Sequence, residues 1–430
     1  MREKTLLVYG IAILLGILTG LVGSCFQLAI SVTNNLLTLL IGYGSRHHIA
    51  QGLLSAILSM VMVLIAWIIV RDFAPEASGS GVQEIEGALL HERPVHWRRL
   101  LPIKFIGGVL AISAKMVVGR EGPTIQMGGN LGAMLGEIFR LKQGRSDTLI
   151  SAGAAAGLAT AFNAPLAGVL FVIEEMRNEF NFNFTNFKMV AICCVIATTT
   201  MQMILGSAPA IPMVVFDAPG LNSLWLFFLF GIVTGFVGLV FNKVLMHRLY
   251  MTDKFSPAYR FFYVALIGAL AGFLAVYYPD IVGGGYEIIQ DSLTLSPGIG
   301  VLSAVFLIRF LATILCYTTN VPGGIFAPML ALGTLFGMGY FYVLNAVIPG
   351  FTIHPGMFAV AGMGALFSAT IRSPLTGIVL VVEMTQNYSL ILPLMVSCLT
   401  STTVVQLAKN PPVYTQLLRR TLRNQKKVKI

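Results

Sequence analysis

Gly153-Ala-Ala-Ala-Gly-Leu-Ala-Thr-Ala-Phe-Asn-Ala-Pro165-Leu-Ala-Gly168-Val-Leu-Phe-Val-Ile-Glu174 returns 209 positions later. The second copy is Gly362-Met-Gly-Ala-Leu-Phe-Ser-Ala-Thr-Ile-Arg-Ser-Pro374-Leu-Thr-Gly377-Ile-Val-Leu-Val-Val-Glu383, with Gly, Ala, Pro, Leu, Gly and Glu in register. Upstream, at an offset of 205, Pro123-x4-Gly128-x3-Gly132 returns as Pro328-x4-Gly333-x3-Gly337, and Lys104-Phe105 as Arg309-Phe310. A third match, at an offset of 204, sets Gly79-Ser80-Gly81 against Gly283-Gly284-Gly285. Matches in the same order divide the chain into related halves, 1–210 and 211–430. Whether the second half is inverted depends on the parity of crossings per half, which the uneven apolar runs leave open.

Those halves belong to a membrane protein. Of the 430 residues 56% are hydrophobic and 11% charged, against about 25% charged in a soluble domain. The mean hydropathy is +0.82. Apolar runs lie near 5–33, 51–70, 100–118, 124–139, 148–176, 188–206, 222–243, 259–277, 297–316, 325–348, 357–385 and 389–408. Several fall short of the ~20 residues a crossing needs, and Gly or Pro interrupts others. The expectation is an all-α polytopic fold of tilted, broken and half-crossing helices, its 44 glycines suiting close packing.

The net charge of +10 is not a nucleic-acid footprint, because the basic residues gather in tails and short loops. Arg2 and Lys4, the stretch from His91 to Arg99, Arg140 to Arg145 and the tail from Arg419 to Lys429 are those clusters. The positive-inside rule puts them, and both termini, in the cytoplasm. The N-terminal segment shows no small-residue cleavage site and reads as a retained first helix. Cys25, Cys193, Cys194, Cys316 and Cys398 sit in apolar runs without metal spacing and read as buried small hydrophobes. Six histidines lie in or beside expected loops and share no intramembrane run with a candidate serine, which argues against an intramembrane hydrolase.

Three glycine-rich breaks carry the chemistry: Gly79-Ser80-Gly81, Gly119-Arg120-Glu121-Gly122-Pro123 and Gly323-Gly324-Ile325-Phe326-Ala327-Pro328. Each sits at the edge of an apolar run and can start a helix whose N–H groups are left over. Such N-termini hold anions through partial charge, loosely enough for release. Ser80 adds a hydroxyl donor. Glu121 places a protonatable acid among these donors, and charge at that depth marks a pathway. Broken helices at repeat-related positions are where transporters place their sites. The reading is anion movement gated by protonation, with no cofactor, no metal and no enzymatic nucleophile. Glu174 has a mate in Glu383, whereas Glu175 faces the apolar Met384, so Glu175 is the better functional candidate of the two.

This set, with Tyr414 in Pro411-Pro-Val-Tyr-Thr415, resembles the CLC family of chloride channels and proton/chloride antiporters, and the bacterial antiporters most. The resemblance implies a homodimer in the bacterial inner membrane, with one pore per subunit built from two inverted halves. It implies that Glu121 is the external gate and proton acceptor. Ser80 and Tyr414, with the backbone N–H groups of Ile325 and Phe326, would be chloride ligands. Glu175 would be the internal proton-transfer acid that antiporters carry and channels of the family lack. Gly79, Gly81, Gly119, Arg120, Gly122, Pro123, Gly323, Gly324 and Pro328 complete the selectivity motifs. Serine at 80, where nitrate-preferring relatives have proline, favours chloride. The short basic tail after Tyr414 leaves no cytoplasmic regulatory domain.

Two departures stand out: Val82-Gln83-Glu84 where the family has Ile-Pro-Glu, and Lys115 where a small residue is expected. Lys115 either snorkels from a helix end or lowers the pKa of Glu121. The function expected is secondary active exchange of chloride for protons. A passive channel of the same family is the alternative, and a transporter of large organic solutes would call for a roomier, more aromatic site.

Overall fold

The computed structural model describes residues 2–177, 180, 182–295, 298–348 and 353–428. Among these the only extended pairings are two isolated bridges, Gly79 with Pro322 and Gly119 with Gly324; the architecture is all-α. Eight described helices are long and apolar enough to cross a membrane: Leu7–Arg46, Gln51–Phe73, Phe184–Leu205, Leu221–Thr252, Pro257–Tyr277, Ile299–Tyr317, Phe326–Val347 and Tyr388–Leu407. Their outward faces carry exposed Leu36, Leu39, Phe236, Phe262 and Leu307, side chains suited to lipid.

Others are too short. Val82–Leu89, Pro165–Glu174 and Pro374–Thr385 have 8, 10 and 12 residues, and at 1.5 Å per residue none spans the ~30 Å hydrocarbon core. The apolar runs 148–176 and 357–385, expected as single segments, are each split in two. Asn163 (φ 54°) and Arg372 (φ 72°) take left-handed conformations that end Gln143–Phe162 and Pro355–Ile371. Pro165 and Pro374 then open the next helices at the first position, where a missing N–H costs nothing. These positions correspond in the repeat.

Two compact units form. One comprises Met1–Ser207, Met251–Gly284 and Leu315–Ile325; the other Ala208–Tyr250, Gly285–Ile314 and Phe326–Ile430. The first thus takes in two segments from beyond the sequence boundary at 210. Pro257–Tyr277 is held there because Ser55, on Gln51–Phe73, donates to the Gly272 carbonyl at 2.6 Å. Residues 321–324 are held by the two bridges.

Within each unit one helix pair crosses on glycine. In the first, a methyl group on Gly128 would overlap the Gly153 carbonyl, and one on Gly132 the Leu149 carbonyl. In the second, Gly333 meets the carbonyl of Gly362 and Gly337 that of Phe358 in the same way. Close backbone approach of this kind substitutes for the hydrophobic driving force absent in lipid. Gly128→Ala or Gly333→Ala should therefore lower thermal stability by about 1–3 kcal/mol, the usual cost of overpacking. Gly10→Ala, with nothing within 4 Å of the added methyl, is the control. Equal unfolding midpoints for all three in detergent would remove the crossing from the account.

The basic stretch 91–99 is not a free solvated run. Arg93 pairs with Glu84 at 2.7 Å, Arg99 with Glu76 at 2.7 Å and Arg98 with Glu137 at 2.8 Å. Two sequence expectations are corrected. Cys25 is exposed, because it falls on an outward face of the first helix. His247 lies inside Leu224–Thr252, which runs past the end of its apolar stretch.

Candidate functional site

The chemistry of the first unit converges on one short segment. Gly79 and Gly81 adopt φ values of 62° and 88°, a region that strains any residue with a side chain. Between them stands Ser80. Gly79 N–H donates to the Val321 carbonyl at 3.2 Å and Gly323 N–H to the Gly79 carbonyl at 3.0 Å. On its other side the same segment exchanges two bonds between Gly119 and Gly324, at 2.8 and 2.7 Å. Three motifs far apart in sequence are thereby stitched together.

Glu121 begins the helix Glu121–Ile138 beside this segment. Gly122 lies so close to Ser80 that any side chain there would strike its Oγ. Ser80, Glu121 and Ile325 are fully buried. Neither Gly81, preceding Val82–Leu89, nor Arg120, preceding Glu121–Ile138, caps its helix with a side chain. A helix start without a side-chain cap is where an anion, or the Glu121 carboxylate itself, can be held.

Sequence reading missed three supporting residues. Lys104, buried on Trp97–Ser113, donates from Nζ to the carbonyls of Ala77 at 2.9 Å and Gly79 at 2.7 Å, holding the Ser80 turn from beneath. Its signal in the sequence is the Lys104/Arg309 match, which on its own marks only the repeat. Gln126 donates to the Glu76 carbonyl at 2.8 Å and fills the space beside Gly81. Tyr317 Oη accepts from the Ser80 N–H at 3.4 Å. Neither Gln126 nor Tyr317 belongs to a recognisable motif. Lys104→Met would strip two buried carbonyls of their donor, each worth about 1–3 kcal/mol when left unsatisfied. A lower unfolding midpoint together with weaker chloride dependence is expected; an unchanged pair of values would show that the turn holds itself.

The second half of the sequence repeats the scaffold. Gly283 and Gly285 have φ values of 74° and 105° and precede the helix Tyr286–Leu295. Arg309 is buried, and a methyl on Gly285 would meet its guanidinium Nη2 at 2.6 Å. What is not repeated is the chemistry: at the same offsets Gly284 replaces Ser80 and Phe326 replaces Glu121. Phe326 opens Phe326–Val347, and its ring stacks on buried Tyr414 with centroids 5.9 Å apart and planes at 26°. Tyr414 is the second residue of Val413–Val428. The turn before it is tied by Gln416 donating to Asn410 Oδ1 at 2.9 Å and to the Pro411 carbonyl at 2.7 Å.

Glu175 is half-buried just past the end of Pro165–Glu174, its N–H donating to the Phe171 carbonyl at 2.8 Å. It stands on a separate element from Glu121. Glu174 and its mate Glu383 are both half-buried, and Met384, the mate of Glu175, is buried. Gln83 lies buried in the first turn of Val82–Leu89. Lys115 follows the C-cap of Trp97–Ser113 in a left-handed conformation (φ 59°), its carbonyl accepting from Gly283 N–H at 3.0 Å.

Residues 62–406 match the family model described as "Voltage gated chloride channel". The chain is 45% identical over 420 residues to the H(+)/Cl(-) exchange transporter ClcA of Vibrio cholerae serotype O1, covering 97% of this chain and 90% of that protein. The protein of the same name from Salmonella schwarzengrund is 44% identical over 430 residues, 99% of this chain and 91% of the other. Among solved structures, a slow cyanobacterial Cl-/H+ antiporter matches with a TM-score of 0.93 at 38% identity, over 98% of this chain and 99% of that one. A eukaryotic CLC transporter, 21% identical, shares the fold with a TM-score of 0.80 over 97% of this chain and 74% of its own. With most of its length matched and its relatives this similar, the chain belongs to the voltage gated chloride channel family.

Proposed function

We propose that this protein exchanges chloride for protons across the bacterial inner membrane. The observation that carries the reading is the buried Glu121 carboxyl at the start of an uncapped helix, against Ser80. Ionised, Glu121 is the anion that best satisfies those N–H groups, and it competes with chloride for them. Protonated, it loses that attraction and yields the donors to chloride. Coupling follows because the same group that moves aside carries the proton.

Ser80, the N–H groups of Ile325 and Phe326, and Tyr414 are assigned as chloride ligands on the family resemblance. Glu175 takes the proton onward to the cytoplasmic side, where both termini lie by the distribution of Lys and Arg. The assembly is a homodimer with one pore per subunit and inverted halves. Support comes from the names of the relatives, which are exchange transporters and not enzymes. The test is the reversal potential of the purified protein in a planar bilayer under opposed chloride and pH gradients. An exchanger reverses away from the chloride equilibrium potential, displaced by the proton gradient. A passive channel reverses at the chloride potential whatever the pH, and that result would replace the proposal.

A further inference from the structure

Lys115 is a charged residue that the exchange reading does not use. It lines a cavity of about 120 Å³ together with Asn34, Thr38, Ser55, Ser59 and Ser113, the rest of the wall being apolar, room for an anion with several of its waters. Among the described residues no carboxylate lines this space. Among the described residues none comes within 4.0 Å of the Lys115 ammonium, and its Nζ makes no hydrogen bond. A half-buried ammonium without a carboxylate beside it is a site of positive potential. Asn34 Oδ1 is also buried there without a hydrogen-bond partner, and a half-turn of the amide would present an NH2 donor instead.

The position of the cavity gives it a direction. Asn34 and Thr38 lie in the last third of Arg2–Arg46, and Ser55 and Ser59 in the first half of Gln51–Phe73. The cavity thus lies near the turn joining these helices, at the end of the first helix remote from the N-terminus. Lys115 is six residues ahead of Glu121 in sequence.

We infer that this cavity is an outer capture site for a small monovalent anion, chloride in the exchange reading on which the inference rests. Its work is to raise the local chloride concentration on the face opposite the N-terminus before the ion reaches the Glu121 gate. One ammonium attracts an anion without holding it, which a capture site requires, and the hydroxyls of Thr38, Ser55 and Ser113, which donate to the carbonyls of Asn34, Gly272 and Ile30, add little grip.

The experiment first establishes exchange in the unmodified protein, in proteoliposomes, so that failure of that reading is seen separately. Lys115→Met should then raise the chloride concentration giving half-maximal flux by roughly three- to tenfold. Maximal rate and proton coupling should be unchanged, and Lys115→Arg should behave as the unmodified protein. Added impermeant salt should shrink the difference, because the Debye length is only about 10 Å at 0.1 M.

Lys115→Cys supplies a second route that holds even if Lys115→Met folds poorly. An impermeant aminoethyl methanethiosulfonate applied outside should restore chloride affinity, and its sulfonatoethyl counterpart should weaken it further. The unmodified protein under the same reagents is the control. An unchanged half-saturating chloride concentration in Lys115→Met, or equal effects of the two reagents, overturns the site.

Discussion

Glu121→Gln is expected to abolish proton transport and leave a passive chloride flux. Under opposed gradients its reversal potential should move fully to the chloride equilibrium value, and its flux should lose most of its dependence on pH. Glutamine keeps the shape of a protonated glutamate and cannot ionise. It therefore mimics the state in which the donors of Glu121–Ile138 are free for chloride, and it has no proton to carry. Burial sharpens the effect, because a fully buried side chain has no bulk water to substitute for it. The fold should tolerate the change, since the helix start is fixed by Gly119, Gly324 and the neighbouring glycines and not by the carboxylate. Continued uphill proton movement in Glu121→Gln on a chloride gradient would remove Glu121 from the role of gate.

Much of this was legible in the sequence, and for a physical reason. A repeat in a membrane protein preserves what the backbone needs: glycines where helices touch, prolines where they restart, and a buried cation beneath a glycine turn. The pairs Gly128/Gly333, Pro165/Pro374 and Lys104/Arg309 mark those needs, and each occupies equivalent surroundings in its own unit. The prolines at 165 and 374 signal the breaks, but not the residues that close the preceding helices, because Asn163 and Arg372 take their left-handed turns inside otherwise apolar runs. Tyr317 and Gln126 were hidden for another reason. They support the Ser80 turn by contacts remote in sequence, and no local pattern encodes such contacts.

The asymmetry between the halves carries more functional information than their likeness. Glycine at 284 and phenylalanine at 326 keep the second scaffold while removing its hydroxyl and its acid. The same contrast separates Glu174 from Glu175 and leads to the second large effect. Glu175→Gln should reduce proton flux on the order of a hundredfold or more, the range lost with a positioned acid–base group, while chloride flux persists. Chloride is spared because Glu175 stands beyond Pro165–Glu174, on a different element from the Ser80 turn. Glu174→Gln should be mild for coupling, because its counterpart Glu383 is retained in a half without a gate, as expected of a structural acid. Both glutamates are half-buried neighbours, so exposure alone cannot separate them. Only the repeat predicts the ranking. Parallel measurements of proton and chloride flux in the two variants decide it: a severe loss in Glu174→Gln beside a mild one in Glu175→Gln would show that repeat pairing does not mark the structural acid.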